Sequence, residues 1–130
     1  MILVDTSVWI DHFRSSSQVL VRLLENEEVL GHPVVIGELV LGGIPNRDRT
    51  RRNLLRLPLA TLADHDDVLQ FIHRADLSGS GISYSDTHVL LSTRLTPSVA
   101  LWTRDRRLLA VARRLGVAAD IEPYTGLHED

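Results

Sequence analysis

The sequence contains no cysteine. Disulfide staples, thiolate nucleophiles and sulfur-ligated zinc are therefore excluded, and the composition fits a reducing interior. Lysine is missing too: all 14 basic residues are arginine, which removes every enzyme class built on a catalytic lysine. Aromatic residues make up only 5% of the chain, leaving little for base-stacking recognition. A Gly-rich phosphate loop is also absent, because Gly79-Ser80-Gly81 lacks the following glycine and the lysine. Long apolar runs are missing as well. The first one ends at the acid Asp5, so neither a signal peptide nor a membrane span is expected, and the expected location is cytoplasmic.

What is present suits one domain over residues 1–130: 130 residues at 44% hydrophobic can bury a real core but cannot be divided in two. The net charge of −3 argues against a simple cationic binder. Positive charge is nonetheless local, with arginines at 47, 49, 51 and 52 and again at 104, 106, 107, 113 and 114. Such clusters bind phosphates bidentately or serve as solvated helix faces, and the pattern alone fits both.

The first stretch, Met1 to Asp11, reads as strand, acid, helix start. Ile2, Leu3 and Val4 suit a buried strand, and Asp5 is followed by Thr6 and Ser7, residues that open helices. Helical spacing recurs from Gln18, a short strand is expected at Val29-Leu30, and Pro33 opens a short apolar helix closed by Gly42 and Gly43. An arginine-rich amphipathic helix over 46–57 stops at Pro58, and Leu59 to Leu62 suggests another strand. Asp64 or Asp66 caps the next helix, which is expected to run to Gly79 and Gly81. A helix from about Tyr84 to Leu95, a strand at 99–103, a helix at 105–115 and a weak strand near Asp120 to Glu122 complete the pattern. Alternating strands and helices point to an α/β fold with a mainly parallel sheet covered on both sides.

Three carboxylates stand alone in apolar surroundings: Asp5, Glu38 and Asp86, with Asp105 just beyond the strand ending Leu101-Trp102-Thr103. Each has an ordinary explanation as a cap or a solvent-facing acid. Together they raise a different question, because clustered carboxylates repel one another unless a cation joins them. Oxygen ligands without cysteine or a histidine ligand set favour Mg2+ or Mn2+ over zinc. Such a centre suits phosphoester hydrolysis, with arginine holding the phosphate backbone.

These residues resemble the PIN-domain ribonucleases and, more narrowly, the VapC toxins of toxin–antitoxin pairs. The resemblance rests on Leu3-Val4-Asp5-Thr6-Ser7, Gly37-Glu38-Leu39, Tyr84-Ser85-Asp86-Thr87-His88 and Leu101-Trp102-Thr103-Arg104-Asp105, four acidic motifs in order across nearly the whole chain. It implies a three-layer α/β/α sandwich, a homodimer, Mg2+ or Mn2+ dependence, endonucleolytic cleavage of RNA and a cognate VapB-type antitoxin. Asp5, Glu38 and Asp86 match the acids that build the family's metal and catalytic site, and Asp105 matches the more variable fourth. Thr6 and Thr103 match its supporting hydroxyl residues. Arg51, Arg52, Arg104, Arg106 and Arg107 are candidate RNA contacts, and the arginines around Asp105 are expected to pair with it. The alternative is a non-catalytic RNA- or protein-binding module of the same fold.

Other features read as structural. His12, His32, His65, His73, His88 and His128 are too scattered to form a ligand set, and His88, two residues past Asp86, lies on another helical face. Asp64-His65-Asp66-Asp67 precedes an amphipathic helix and reads as a cap. Trp9 and Trp102 read as core or dimer surface. Aspartyl-nucleophile hydrolases and receiver domains require a lysine, and the former also a second acid where Ser7 stands, so both are excluded.

Overall fold

The computed structural model describes residues 1–121; Glu122 and His128 lie outside the described residues. Three short strands form a parallel sheet in the order β2-β1-β3: β1 (Ile2–Val4), β2 (Val29–Leu30) and β3 (Ala100–Trp102). Leu3 pairs with Leu30 on one side and Leu101 on the other, and Val4 pairs with Trp102. Isolated parallel bridges widen the sheet, Gly31 with Leu59 beyond β2 and Leu101 with Ala118 beyond β3. Both faces are covered, so Leu3, Val4, Leu101 and Trp102 are all buried. That is why β1 reads as a continuous apolar run rather than an alternating one.

Seven helices complete the described chain: α1 (Thr6–Arg14), α2 (Gln18–Glu25), α3 (Pro33–Leu41), α4 (Arg47–Leu55), α5 (His65–Arg74), α6 (Tyr84–Leu95) and α7 (Arg106–Arg114). From β1 the chain crosses through α1 and α2 to β2, then reverses through α3 to α6 and passes β1 to reach β3. Parallel crossovers are right-handed, so this reversal puts the two sets of helices on opposite faces of the sheet. It also makes the gap between β1 and β3 a topological switch point. Ligand crevices in open α/β sheets form at the carboxyl ends of strands at such a point.

Both tryptophans belong to the core, Trp9 from α1 and Trp102 from β3. Asp64 is the cap of α5, in a reciprocal capping box with Asp67. Other boundaries differ from the sequence expectation. Helix α5 ends at Arg74, because the chain turns left-handed at Asp76 (φ 53°) before either glycine is reached. Leu59 to Leu62 supplies only the bridge at Leu59, and the last strand is replaced by a bridge at Ala118, with residues 120 and 121 outside the sheet. Helix α7 begins at Arg106, and Asp105 stands before it as the cap. Among the described residues no helix is long and apolar enough to cross a membrane.

Candidate active site

Asp5 continues β1 by one residue, its N–H donating to the Trp102 carbonyl at 2.9 Å, and is the N-cap of α1. The side chain is only 4% exposed. Oδ2 accepts hydrogen bonds from Ser7 Oγ and Thr103 Oγ1, each at 2.7 Å, and a longer one from the Ser7 N–H at 3.4 Å. The first acid therefore sits at the switch point, buried, with hydroxyls from both flanking segments on one oxygen.

Helix α3 brings Glu38 to the same end of the sheet. Its start is fixed by Pro33 and by His32, whose Nδ1 accepts from the Val34 N–H at 3.1 Å. Helices α1 and α3 pack together, and Thr6 Oγ1 donates to Glu38 Oε1 at 2.9 Å. Glu38 is exposed, unlike Asp5.

Asp86 lies in the first turn of α6, in a capping box with Ser83. Its N–H donates to Ser83 Oγ at 3.0 Å, and the Ser83 N–H donates to Asp86 Oδ2 at 3.2 Å. Burial, the largest influence, holds the Asp86 carboxyl above its ordinary value. The Ser83 hydrogen bonds oppose that shift, while the negative charges of Asp5 and then Asp105 reinforce it. Three acids from three separate elements thus share one electrostatic field.

Asp105 caps α7, its Oδ1 accepting from the Leu108 N–H at 3.0 Å, and its own N–H donates to Thr103 Oγ1 at 3.1 Å. Among the described residues the expected pairing with neighbouring arginines is not found. Arg104 turns instead to Asp11, with Nη1 at 3.0 Å from Oδ2, and its guanidinium lies 5.5 Å from the centre of the Trp102 ring. An exposed ion pair contributes little, whereas the bond that caps α7 contributes about 1 kcal/mol. Of the other candidate RNA contacts, Arg51 and Arg52 are exposed on α4, and Arg106 and Arg107 are exposed on the first turn of α7 beside Asp105.

The fold thus brings Asp5, Glu38, Asp86 and Asp105 to one end of the sheet. Among the described residues none of the four forms an ion pair with arginine or histidine. Three helix starts face the cluster instead, those of α1, α6 and α7. Their partial positive charges offset some of the repulsion. Among the described residues no three Asp, Glu or His side chains already stand close enough to hold an ion. In donor chemistry the acids suit a hard divalent cation, since each has one oxygen engaged by a neighbour and the set is all carboxylate.

Two residues at or near the site do more than the sequence reading gave them. Ser7, read there as part of the helix start, also joins Asp5 to the β3–α7 loop through its hydroxyl. His32 is 3% exposed, and its Nε2 lies 3.0 Å from Ser92 Oγ of α6, bridging the helices that carry Glu38 and Asp86. Burial, and secondarily the charge of His88, lowers its pKa from 6.5 to about 4, so it is neutral at pH 7.

A cleft of about 440 Å³ opens beside Glu38, lined in part by Ile10, Phe13, Leu39 and Ile44. Leu41, at the end of α3, is 89% exposed.

Comparison with known proteins gives a consistent result. The PIN domain family model matches residues 2–114. Ribonuclease VapC32 of Mycobacterium tuberculosis is 46% identical over 121 residues, covering 91% of this chain and 95% of the relative, and the same match is found in two strains. Among solved structures, FitAcB from Neisseria gonorrhoeae aligns with a TM-score of 0.62 at 21% identity, covering 91% of this chain and 95% of that one. FitAB bound to an IR36 DNA fragment aligns at 0.56 and 19%, covering 91% and 92%. At those identities the structural matches speak for the fold alone.

Proposed function

The chain belongs to the PIN domain family, as a VapC-type member, and from that premise we propose that it is a metal-dependent endoribonuclease, the toxin of a VapBC-type pair. The observation that most supports this reading is Asp5: a carboxylate 4% exposed at the switch point, without an arginine or histidine ion-pair partner among the described residues. A buried anion without a cation is costly, and a divalent ion supplies the missing charge.

Asp5, Glu38 and Asp86 would hold Mg2+ or Mn2+, with Asp105 as a further carboxylate at the rim. Bound there, the ion would polarise the phosphate, neutralise charge developing in the transition state and lower the pKa of the attacking water. The chain's own groups do the rest. Thr6 and Ser7, successive residues of α1, orient Glu38 and Asp5 through their hydroxyls. Ser83 holds Asp86 by its backbone, so the carboxylate is fixed by a helix start rather than by a flexible stem. Arg106 and Arg107, exposed next to Asp105, and Arg51 and Arg52, exposed on α4, would bind backbone phosphates. Arg104 is engaged with Asp11 and Trp102 and acts as a brace for the β3–α7 loop.

The partners we propose are an RNA substrate, a cognate VapB-type antitoxin and a second copy of the chain. The apolar cleft beside Glu38 and the exposed Leu41 are suitable surface for protein partners, since isolated soluble domains rarely leave such groups grouped and uncovered.

The test is RNA cleavage by purified protein in Mg2+ or Mn2+, with EDTA and Asp5→Asn as controls. Asn at position 5 keeps a cap oxygen for α1 but loses the charge. Cleavage should stop in EDTA and fall by at least about a hundredfold in the variant, the scale of losing one central catalytic interaction. Cleavage insensitive to both would favour a non-catalytic binding module contaminated by another nuclease.

A further inference from the structure

Asp5 is followed by two hydroxyl residues, and each is engaged with a different acid. Thr6 Oγ1 donates to Glu38 Oε1 at 2.9 Å, whereas Ser7 Oγ donates back to Asp5 Oδ2 at 2.7 Å. Thr103 Oγ1 donates to that same oxygen at 2.7 Å.

A hydroxyl has one proton to give and lone pairs to receive with. Ser7 and Thr103 both give their proton to Asp5, so their mutual 3.3 Å approach is a close contact and not a third hydrogen bond. Each then accepts a backbone N–H. Ser7 Oγ takes that of Arg104 at 3.0 Å, and Thr103 Oγ1 takes that of Asp105 at 3.1 Å. Two successive amides feed two hydroxyls, and the two hydroxyls feed one carboxylate oxygen. All these bonds run in the same direction, so each polarises the next.

The arrangement divides the carboxylate. Oδ2 is filled by two short hydrogen bonds and a longer one from the Ser7 N–H, and among the described residues every hydrogen bond to the Asp5 carboxylate falls on that oxygen. We propose that Ser7 is a positioning residue of the metal centre: its hydroxyl, paired with that of Thr103, occupies Oδ2 of Asp5 and reserves Oδ1 for the cation, while holding the loop that carries Asp105. The inference rests on the metal-centre reading above. Arg104 supports it from outside, because its bond to Asp11 and its packing on Trp102 anchor the loop whose N–H meets Ser7.

A purely local role for Ser7 is separable. Its contribution to the start of α1 uses the backbone N–H, which alanine retains, so Ser7→Ala removes the hydroxyl alone. The experiment is titration of the full chain with Mn2+, following free Mn2+ by electron paramagnetic resonance, for wild type, Ser7→Ala and Ser7→Thr. Ser7→Ala should weaken Mn2+ binding by about tenfold or more, the usual scale for losing a hydrogen bond behind a metal ligand, and Ser7→Thr should restore it. Wild-type affinity in Ser7→Ala would overturn the proposal while leaving the metal centre standing. Failure of the wild-type chain to bind Mn2+ would overturn the metal-centre reading, and this proposal with it. Should Ser7→Ala fold poorly, Thr103→Val and Thr103→Ser put the same question to the second hydroxyl. Loss with valine and retention with serine is expected, and equal affinity for the two would overturn it.

Discussion

At Asp86 two demands meet on one carboxyl. One oxygen closes a capping box with Ser83, while burial and the charges of Asp5 and Asp105 make the ionised form costly. Its pKa in the fold lies above the ordinary 3.8, so the metal-free protein loses stability from this group as pH rises from 3.8 through the raised value. Asp86→Asn keeps an oxygen for Ser83 and removes the charge; at neutral pH it should raise the metal-free melting temperature by up to a few degrees and weaken Mn2+ binding, both read by calorimetry. A lower metal-free melting temperature would mean that the charge is structural. His32 has the opposite sign. Its pKa is lowered to about 4, so the unfolded chain takes up the proton first, and stability is lost as pH falls from 6.5 towards 4. His32→Asn retains a cap acceptor for α3 and should flatten that decline in urea melts; an unchanged slope would clear His32 of the effect. The sequence exposed the four acids but set capping against ligation as rivals. The structure removes the rivalry, because a carboxylate has two oxygens and each acid engages a neighbour through one of them.

The elements were legible where a chemical stop or start stands at the boundary. Pro33 marks the first turn of α3, Asp64 caps α5, and Pro58 lies just beyond α4. They were illegible where backbone geometry decides without a marker residue, as at Asp76, which adopts φ 53° and leaves α5 shorter than its glycines suggested. Side-chain direction was equally hidden. Nothing in the spacing of Arg104 and Asp105 says that one turns to Asp11 and the other to the start of α7. For the remaining arginines the exposed face of α4 gives a test at this scale. Replacing Arg51 and Arg52 with glutamine should weaken RNA binding and lower the slope of log affinity against log salt by about 1.4 to 2, from the loss of two phosphate contacts. An unaltered slope would assign that face to a partner other than RNA.

Across the whole molecule, topology made the site possible. Reversal of strand order at β1 puts the ends of β1 and β3 side by side, so Asp5 and the Thr103–Asp105 loop meet although 98 residues separate Asp5 from Thr103. Helices α3 and α6 then deliver Glu38 and Asp86, joined by His32 and Ser92. Motif order announced this assembly only through resemblance to a family; spacing alone could not fix which acid is buried and which is exposed. The fold gathers four carboxylates at one end of its sheet, and among the described residues no arginine or histidine forms an ion pair with any of them. The most direct test of a metal centre there is the melting temperature with and without Mn2+, for wild type and Asp5→Asn. At a concentration about a hundredfold above the dissociation constant, Mn2+ should stabilise the wild type by about 2.7 kcal/mol. For a domain of this size that is a rise of several degrees, and Asp5→Asn should lose most of it. An equal rise in both proteins, or none in the wild type, would contradict the account.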